Sequence, residues 1–294
     1  MREIVILTDS CSDLGADIRA EYHIDYAKMR TVKDGVETPA DLNFPTYTPK
    51  ELYDIMRGGK RILTTQVPQS EFEEAFGAAL EAGKDVIYIG CALPLSSSVN
   101  TAGVVARNLL PKYPEAKIAC IDATNSCLGE GLLTVFAAKL RNEGKSFEEI
   151  VAAVEEKKHF VNQFVTVGSL DMLKKSGRVK GSAAFFGNLL GVKPVIISDK
   201  NGQNVPICKF KGRRASLDGL VKLATENVVD AKEQTVFIAH ADCIEDAEYL
   251  KAQLLEKAGF KDAYVNFIGP IIGSCIGPGA IGIFFFGKEI TTAI

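Results

Sequence analysis

DVIYIGCALPLSSSVNTA, residues 85–102, holds a strand, a loop and the start of a helix in that order. Val86–Gly90 is an apolar run with β character that empties into three consecutive serines, and Thr101–Leu110 (TAGVVARNLL) takes helical spacing. Such a unit builds parallel α/β sheets, and it can also hold an anion. Backbone N–H groups and the positive end of the helix dipole point at one spot, and hydroxyls add donors. The same serines, Ser96, Ser97 and Ser98, equally suit a plain helix cap.

Working outward, the same alternation recurs. Ile4–Thr8 (IVILT) is a short β run followed by Asp9-Ser10-Cys11-Ser12-Asp13, and Leu14–Tyr22 is helical. Asp9 is read as a carboxylate that orders its loop. Ile24–Val32 forms a second strand, Gly35–Thr46 an acidic loop without assignable chemistry, and Thr48–Arg57 a helix opened by Thr-Pro. Leu63-Thr64-Thr65-Gln66 then places a second hydroxyl loop ahead of the helix Ser70–Ala82. Two such loops after successive β segments belong at one edge of a parallel sheet, where ligands of open α/β sheets gather. Lys117–Asp122 is a strand, Leu128–Arg141 an apolar helix, and Ser146-Phe147-Glu148-Glu149 opens the helix Glu148–Phe160 with a capping box.

Beyond Gln163 the texture changes. Asn201-Gly202 signals a hairpin between Pro194–Asp199 and Val205–Phe210, and strands at Phe164–Gly168, Val192–Ser198, Gln234–His240, Tyr264–Ile268 and Ile281–Phe286 surround it. A hairpin within an α/β pattern implies a mixed sheet. The fold expected is therefore a two-domain α/β protein. Residues 1–162 form a parallel, doubly wound N-terminal domain, and residues 163–294 a mixed-sheet α/β C-terminal domain.

Composition narrows the function. Of 294 residues, 47% are hydrophobic and 24% charged, with a net charge of -3, which argues against nucleic acid or an anionic membrane surface as the main partner. No apolar run reaches the roughly 20 residues of a membrane helix, so stable membrane insertion is not expected. The N-terminus enters a strand pattern directly, without a signal-peptide layout. Seven scattered cysteines with no CxxC pair read as reduced thiols of a cytoplasmic protein, and three histidines without clustered ligands indicate no metal site. No GxGxxG or phosphate loop follows any strand, so no nucleotide cofactor is indicated.

Six stretches in register resemble the DegV family of bacterial fatty-acid-binding proteins: ILTDSCSDL, TTQVPQSEF, LSSSVNTA, IDATNSCLGEG, DMLKKSGRVKGSAAFFGNLLGVKP and IGSCIGPGAIG. The resemblance covers essentially the whole chain. It implies two α/β domains, a long-chain fatty acid such as palmitate held non-covalently, and a head group bound by hydroxyls that match Thr64, Thr65 and Ser96. It implies no catalytic residue in this chain. Some members of the family present the bound lipid to a fatty acid kinase, so a kinase subunit is an implied partner. Two departures stand out. Cys275 takes the place of a histidine common in the family, and Ser97-Ser98-Val99 replaces a frequent Gly-Thr-Tyr. The histidine change bears more on the kinase partnership than on lipid binding.

A fatty acid needs a dry slot and a set of donors. Its tail gains about 0.8 kcal/mol per buried CH₂, while its carboxylate must be hydrogen-bonded wherever it leaves water. Phe164, Phe185, Phe186, Leu189 and Leu190 are candidates for the slot, Ser97 and Ser98 for the cap, and Gly277 for a tight loop near the head group beside Cys275. Arg178 either orders the domain junction or caps a helix end in solvent. The rival reading is a cysteine hydrolase. Gly273-Ser274-Cys275-Ile276-Gly277 formally matches a nucleophile elbow, although none of His23, His159 and His240 follows it in the chain; His240 could still approach in space.

Overall fold

The computed structural model describes residues 2–181 and 191–292. The first half runs β1 (Ile4–Asp9), α1 (Ala16–Glu21), β2 (Ile24–Ala27), β3 (Arg30–Lys33), β4 (Val36–Pro39), α2 (Pro49–Arg57), β5 (Leu63–Thr65) and α3 (Gln69–Glu81). It continues through β6 (Asp85–Gly90), α4 (Ser98–Leu109), β7 (Ile118–Asp122), α5 (Leu128–Asn142) and α6 (Phe147–Lys157). The second half holds β8 (Val161–Thr166), α7 (Leu170–Ser176), β9 (Val192–Ser198), β10 (Asn204–Lys211) and α8 (Arg213–Asn227). It closes with β11 (Thr235–His240), α9 (Ile244–Gln253), β12 (Asp262–Phe267), α10 (Pro270–Ile276) and β13 (Ile281–Phe286).

The expected α/β architecture is present. A parallel sheet runs in the order β2-β1-β6-β7, and a mixed sheet in the order β10-β9-β8-β13-β11-β12, in which only β11 and β12 pair in parallel. On one face of the parallel sheet, α3 and α4 bury Phe72, Phe76, Val99 and Val105 against Tyr88 and Val86. The other face meets α5. The sequence of α5, LGEGLLTVFAAKLRN, buries residues around nearly its whole circumference, from Leu128 to Ala138. A helix apolar on all sides belongs inside the molecule. Accordingly, α5 packs between both sheets, and one continuous core joins Ile6, Ile87 and Ile89 to Leu132, Leu133, Val161, Val165 and Phe284. Gly131 permits this approach, because a Cβ there would stand 2.7 Å from the Ser12 carbonyl oxygen.

Three expectations are corrected. The single strand over Ile24–Val32 divides, with Ile24–Ala27 in the parallel sheet and Arg30–Lys33 in a separate antiparallel sheet of order β4-β3-β5. The loop before α2 contains β4, and Thr64 and Thr65 stand on β5 of this small sheet rather than on the parallel one. The sequence reading assigned no helix to Pro270–Ile276, which forms α10; the tight loop expected at Gly277 follows directly, with Gly277 at φ 78° and Gly279 at φ 75°. The Ser146–Glu149 capping box forms as expected, and so does the hairpin at Gly202. That hairpin leans on the parallel sheet's edge, with the Ser198 hydroxyl donating to the Thr124 carbonyl at 2.8 Å.

Candidate functional site

The hairpin, α10 and the carboxyl ends of β1 and β6 enclose a cavity of about 520 Å³ between the two sheets. That size falls within the roughly 300–1,000 Å³ of small-molecule sites. Its inner wall is mostly apolar, made by Val165, Ile196, Ile268, Ile271, Ile272 and Phe284, with Ser126 and Gln163 as buried polar exceptions. Its mouth is polar: Thr64, Thr65, Gln66, Ser96, Ser97, Ser176 and Arg178. A second hollow of about 340 Å³ shares Thr64, Ser176, Arg178 and Cys275 with the cavity and adds Lys60, Arg61 and Lys175. Arg178 thus lines the cavity itself, while Arg61, Lys175 and Lys60, the last paired with Asp34 at 2.9 Å, lie in the adjoining hollow.

The two hydroxyl loops meet at this mouth. Ser98, buried at the first turn of α4, accepts the Val67 backbone N–H at 3.2 Å, and the Gln66 amide donates to Thr101 at 2.9 Å. Ser96 Oγ lies 3.0 Å from Ser98 Oγ and accepts the Ser98 backbone N–H at 3.3 Å. When Ser98 donates its proton to Ser96, the Ser96 hydroxyl keeps its own proton for a group in the cavity. The expected division of labour thus changes. Ser97 starts the helix without a side-chain cap bond and lines the cavity, whereas Ser98 is structural and off the cavity wall.

Cys275 sits in the last turn of α10 and lines the cavity beside Thr64, whose hydroxyl contacts the thiol. Burial pushes this thiol up, against the smaller opposing effects of Arg178 and Thr64. A neutral thiol inside a helix is not a nucleophile elbow, which requires the strand-to-helix turn. His240 does not supply a base. Its ring packs 4.4 Å from that of Phe267, its Nδ1 accepts the Cys243 N–H at 3.3 Å, and it lies outside the cavity lining. The hydrolase reading is thereby removed.

Phe164 was expected in the slot and is not there. Residues alternate along β8, so Gln163 and Val165 face the cavity while Phe164 points to the far side, 6.0 Å from the ring of Phe285 in the core under α8. Gly277 is also off the cavity wall; a Cβ there would meet Met172 Sδ at 2.5 Å, so it serves the packing of α10 on α7. Phe185, Phe186, Leu189 and Leu190 lie outside the described residues. The sequence reading missed Gln163, Asn204 and the isoleucines of α10, which no local spacing distinguishes from core.

The fold and the cavity define a class: an α/β protein whose parallel and mixed sheets enclose a largely apolar chamber with a hydroxyl-lined side that carries Arg178. The chain belongs to the DegV family, for a family profile described as "Uncharacterised protein, DegV family" matches residues 3–288. A DegV domain-containing protein of Clostridium perfringens is 38% identical over 287 residues, covering 98% of each chain. Another, of Caldanaerobacter subterraneus, is 30% identical over 98% of this chain and 100% of its own. Among solved structures, a fatty-acid-binding DegV family protein of Thermus thermophilus superposes with a TM-score of 0.86 at 25% identity, over 98% of this chain and 100% of its own. DegV of Bacillus subtilis, described as a fatty acid binding protein, gives a TM-score of 0.84 at 25% identity over the same shares.

Proposed function

We propose that this protein binds one long-chain fatty acid non-covalently, its tail in the apolar chamber and its carboxylate at the mouth. The observation that carries this reading is the distribution of polarity in the chamber, largely apolar along Val165, Ile196, Ile271 and Ile272, with hydroxyls gathered where Thr64, Thr65, Ser96, Ser97 and Ser176 line it. The solved relatives from Thermus and Bacillus, both described as binding fatty acids, support it. A long acyl chain gains roughly 10 kcal/mol gross on burial before ordering costs. Charge-assisted hydrogen bonds of about 1.5–3 kcal/mol each then offset desolvation of the head group. Affinity comes mainly from the tail, and orientation from Ser96, Thr64 and Thr65. The role is one of carriage in the cytoplasm rather than catalysis, and presentation of the exposed carboxylate end to a fatty acid kinase is its finer form.

Native mass spectrometry of purified protein, before and after solvent extraction, tests the binding. One added mass of a long-chain fatty acid that extraction removes and added lipid restores is the expected result. Absence of both the added mass and rebinding rejects the reading. Transfer of phosphate to the bound lipid by an added kinase subunit tests the finer form separately.

A further inference from the structure

At and behind the chamber wall lie groups that lipid binding leaves unused. Cys11 follows β1, Cys91 follows β6, and Glu130 lies in the first turn of α5. Because β1 and β6 are adjacent parallel strands, both thiols leave the sheet at the same edge, where α5 begins. The two sulfurs and a Glu130 carboxylate oxygen all lie within 4.8 Å of one another, and all three residues are buried. Cys11 Sγ also contacts Met29 Sδ at 3.3 Å, and Cys11, Met29 and Cys91 line the chamber, which gives an ion a route in.

A second observation points to a cation at these residues. Glu130 has no solvent exposure; its Oε1 accepts the Thr8 hydroxyl at 2.8 Å, and its Oε2 has no partner among the described residues. Its electrostatic neighbours are Asp9, Cys91 and Asp13, every one of them acidic. A buried group of one sign either stays protonated or takes a counter-charge. We propose that Cys11, Cys91 and Glu130 form a site for a thiophilic divalent cation of the zinc class, with its fourth position open toward the chamber. Thiolate and carboxylate oxygen are the donor types zinc accepts, and three protein ligands leave one position free. Both thiols release their protons to solvent on binding, and the carboxylate does so wherever it was protonated, so uptake strengthens as pH rises.

The test uses the full-length, reduced, metal-free protein titrated with zinc or cadmium alone. One equivalent of cadmium should give a sulfur-to-metal charge-transfer band, and zinc should compete for the same equivalent. Cys11→Ser and Cys91→Ser should each weaken cadmium by more than the roughly 10–100-fold that loss of a supporting partner costs. Cys208→Ser, on β10, should leave binding unchanged. Lack of a stoichiometric band in the wild-type protein overturns the proposal, and so does a band that survives both cysteine substitutions. Should the serine variants fail to fold, the isosteric Glu130→Gln decides: weakened binding supports the site, and unchanged binding overturns it.

Discussion

Ser98 and Val67 are joined by a buried hydrogen bond of 3.2 Å from the Val67 N–H to the Ser98 hydroxyl, and this bond fixes the distance between the two loops at the chamber mouth. Ser96 stands on the same network but reaches the chamber, so the two serines separate structure from ligand contact. Removing Ser98's hydroxyl strands a buried amide, at a cost of about 1–3 kcal/mol. Ser98→Ala should therefore lower the unfolding free energy by that amount in denaturant titration. Ser96→Ala should leave stability within about 1 kcal/mol and weaken fatty-acid affinity by about 1–3 kcal/mol in calorimetry. Unchanged affinity would return Ser96 to a purely local role.

Adjacent residues of β8 should respond in opposite ways. Phe164→Ala removes core on the side away from the chamber and should destabilise by about 3–5 kcal/mol while the folded fraction binds lipid normally. Val165→Phe fills the chamber; the expected result is loss of long-chain binding in a folded protein, seen as a missing added mass in native spectra. Normal binding by Val165→Phe would move the tail elsewhere.

Arg178 lines the mouth with Lys60, Arg61 and Lys175 close by. Exposed charges act mainly on encounter and are screened by salt. Arg178→Gln should slow fatty-acid association at low ionic strength and flatten its salt dependence, as stopped-flow fluorescence with a fluorescent fatty acid would show. Parallel salt dependences for variant and wild type would remove Arg178 from that role.

Burial lowers the His240 imidazole below its ordinary value of about 6.5, against the raising effects of Asp242 and Glu248. The unfolded chain then takes up the proton first on acidification, so this histidine's contribution is present above about pH 6.5 and is lost as pH falls below it. His240→Asn keeps an acceptor for the Cys243 N–H and cannot titrate. Its melting temperature should fall less than that of the wild type between about pH 7 and 5. Equal slopes would assign the acid sensitivity to other groups.

Much of this fold is legible locally, because caps, turns and apolar runs act over a few residues. Ser146 with Glu149 fixes the start of α6, and Gly202 at φ 79° fixes the hairpin. The small β4-β3-β5 sheet escaped because strands of three or four residues carry too little period. Every residue of Val161–Thr166 is buried, so alternation could not separate Phe164 from Val165. The hydroxyl loops were readable as a pair, but their closeness comes from the Val67–Ser98 bond rather than from a shared sheet. Cys11, Cys91 and Glu130 are distant in sequence, and only the strand order brings them together.

The placement of α5 governs how the molecule can move. A hinge between the two sheets would strip one side of a helix that both sheets cover, exposing Leu132, Leu133 and Val135 to water. At about 1.5–3 kcal/mol for each such side chain, that opening competes with unfolding itself. The two halves should consequently melt as one cooperative unit with a single calorimetric transition, and a guest must exchange through local breathing of the serine and threonine loops.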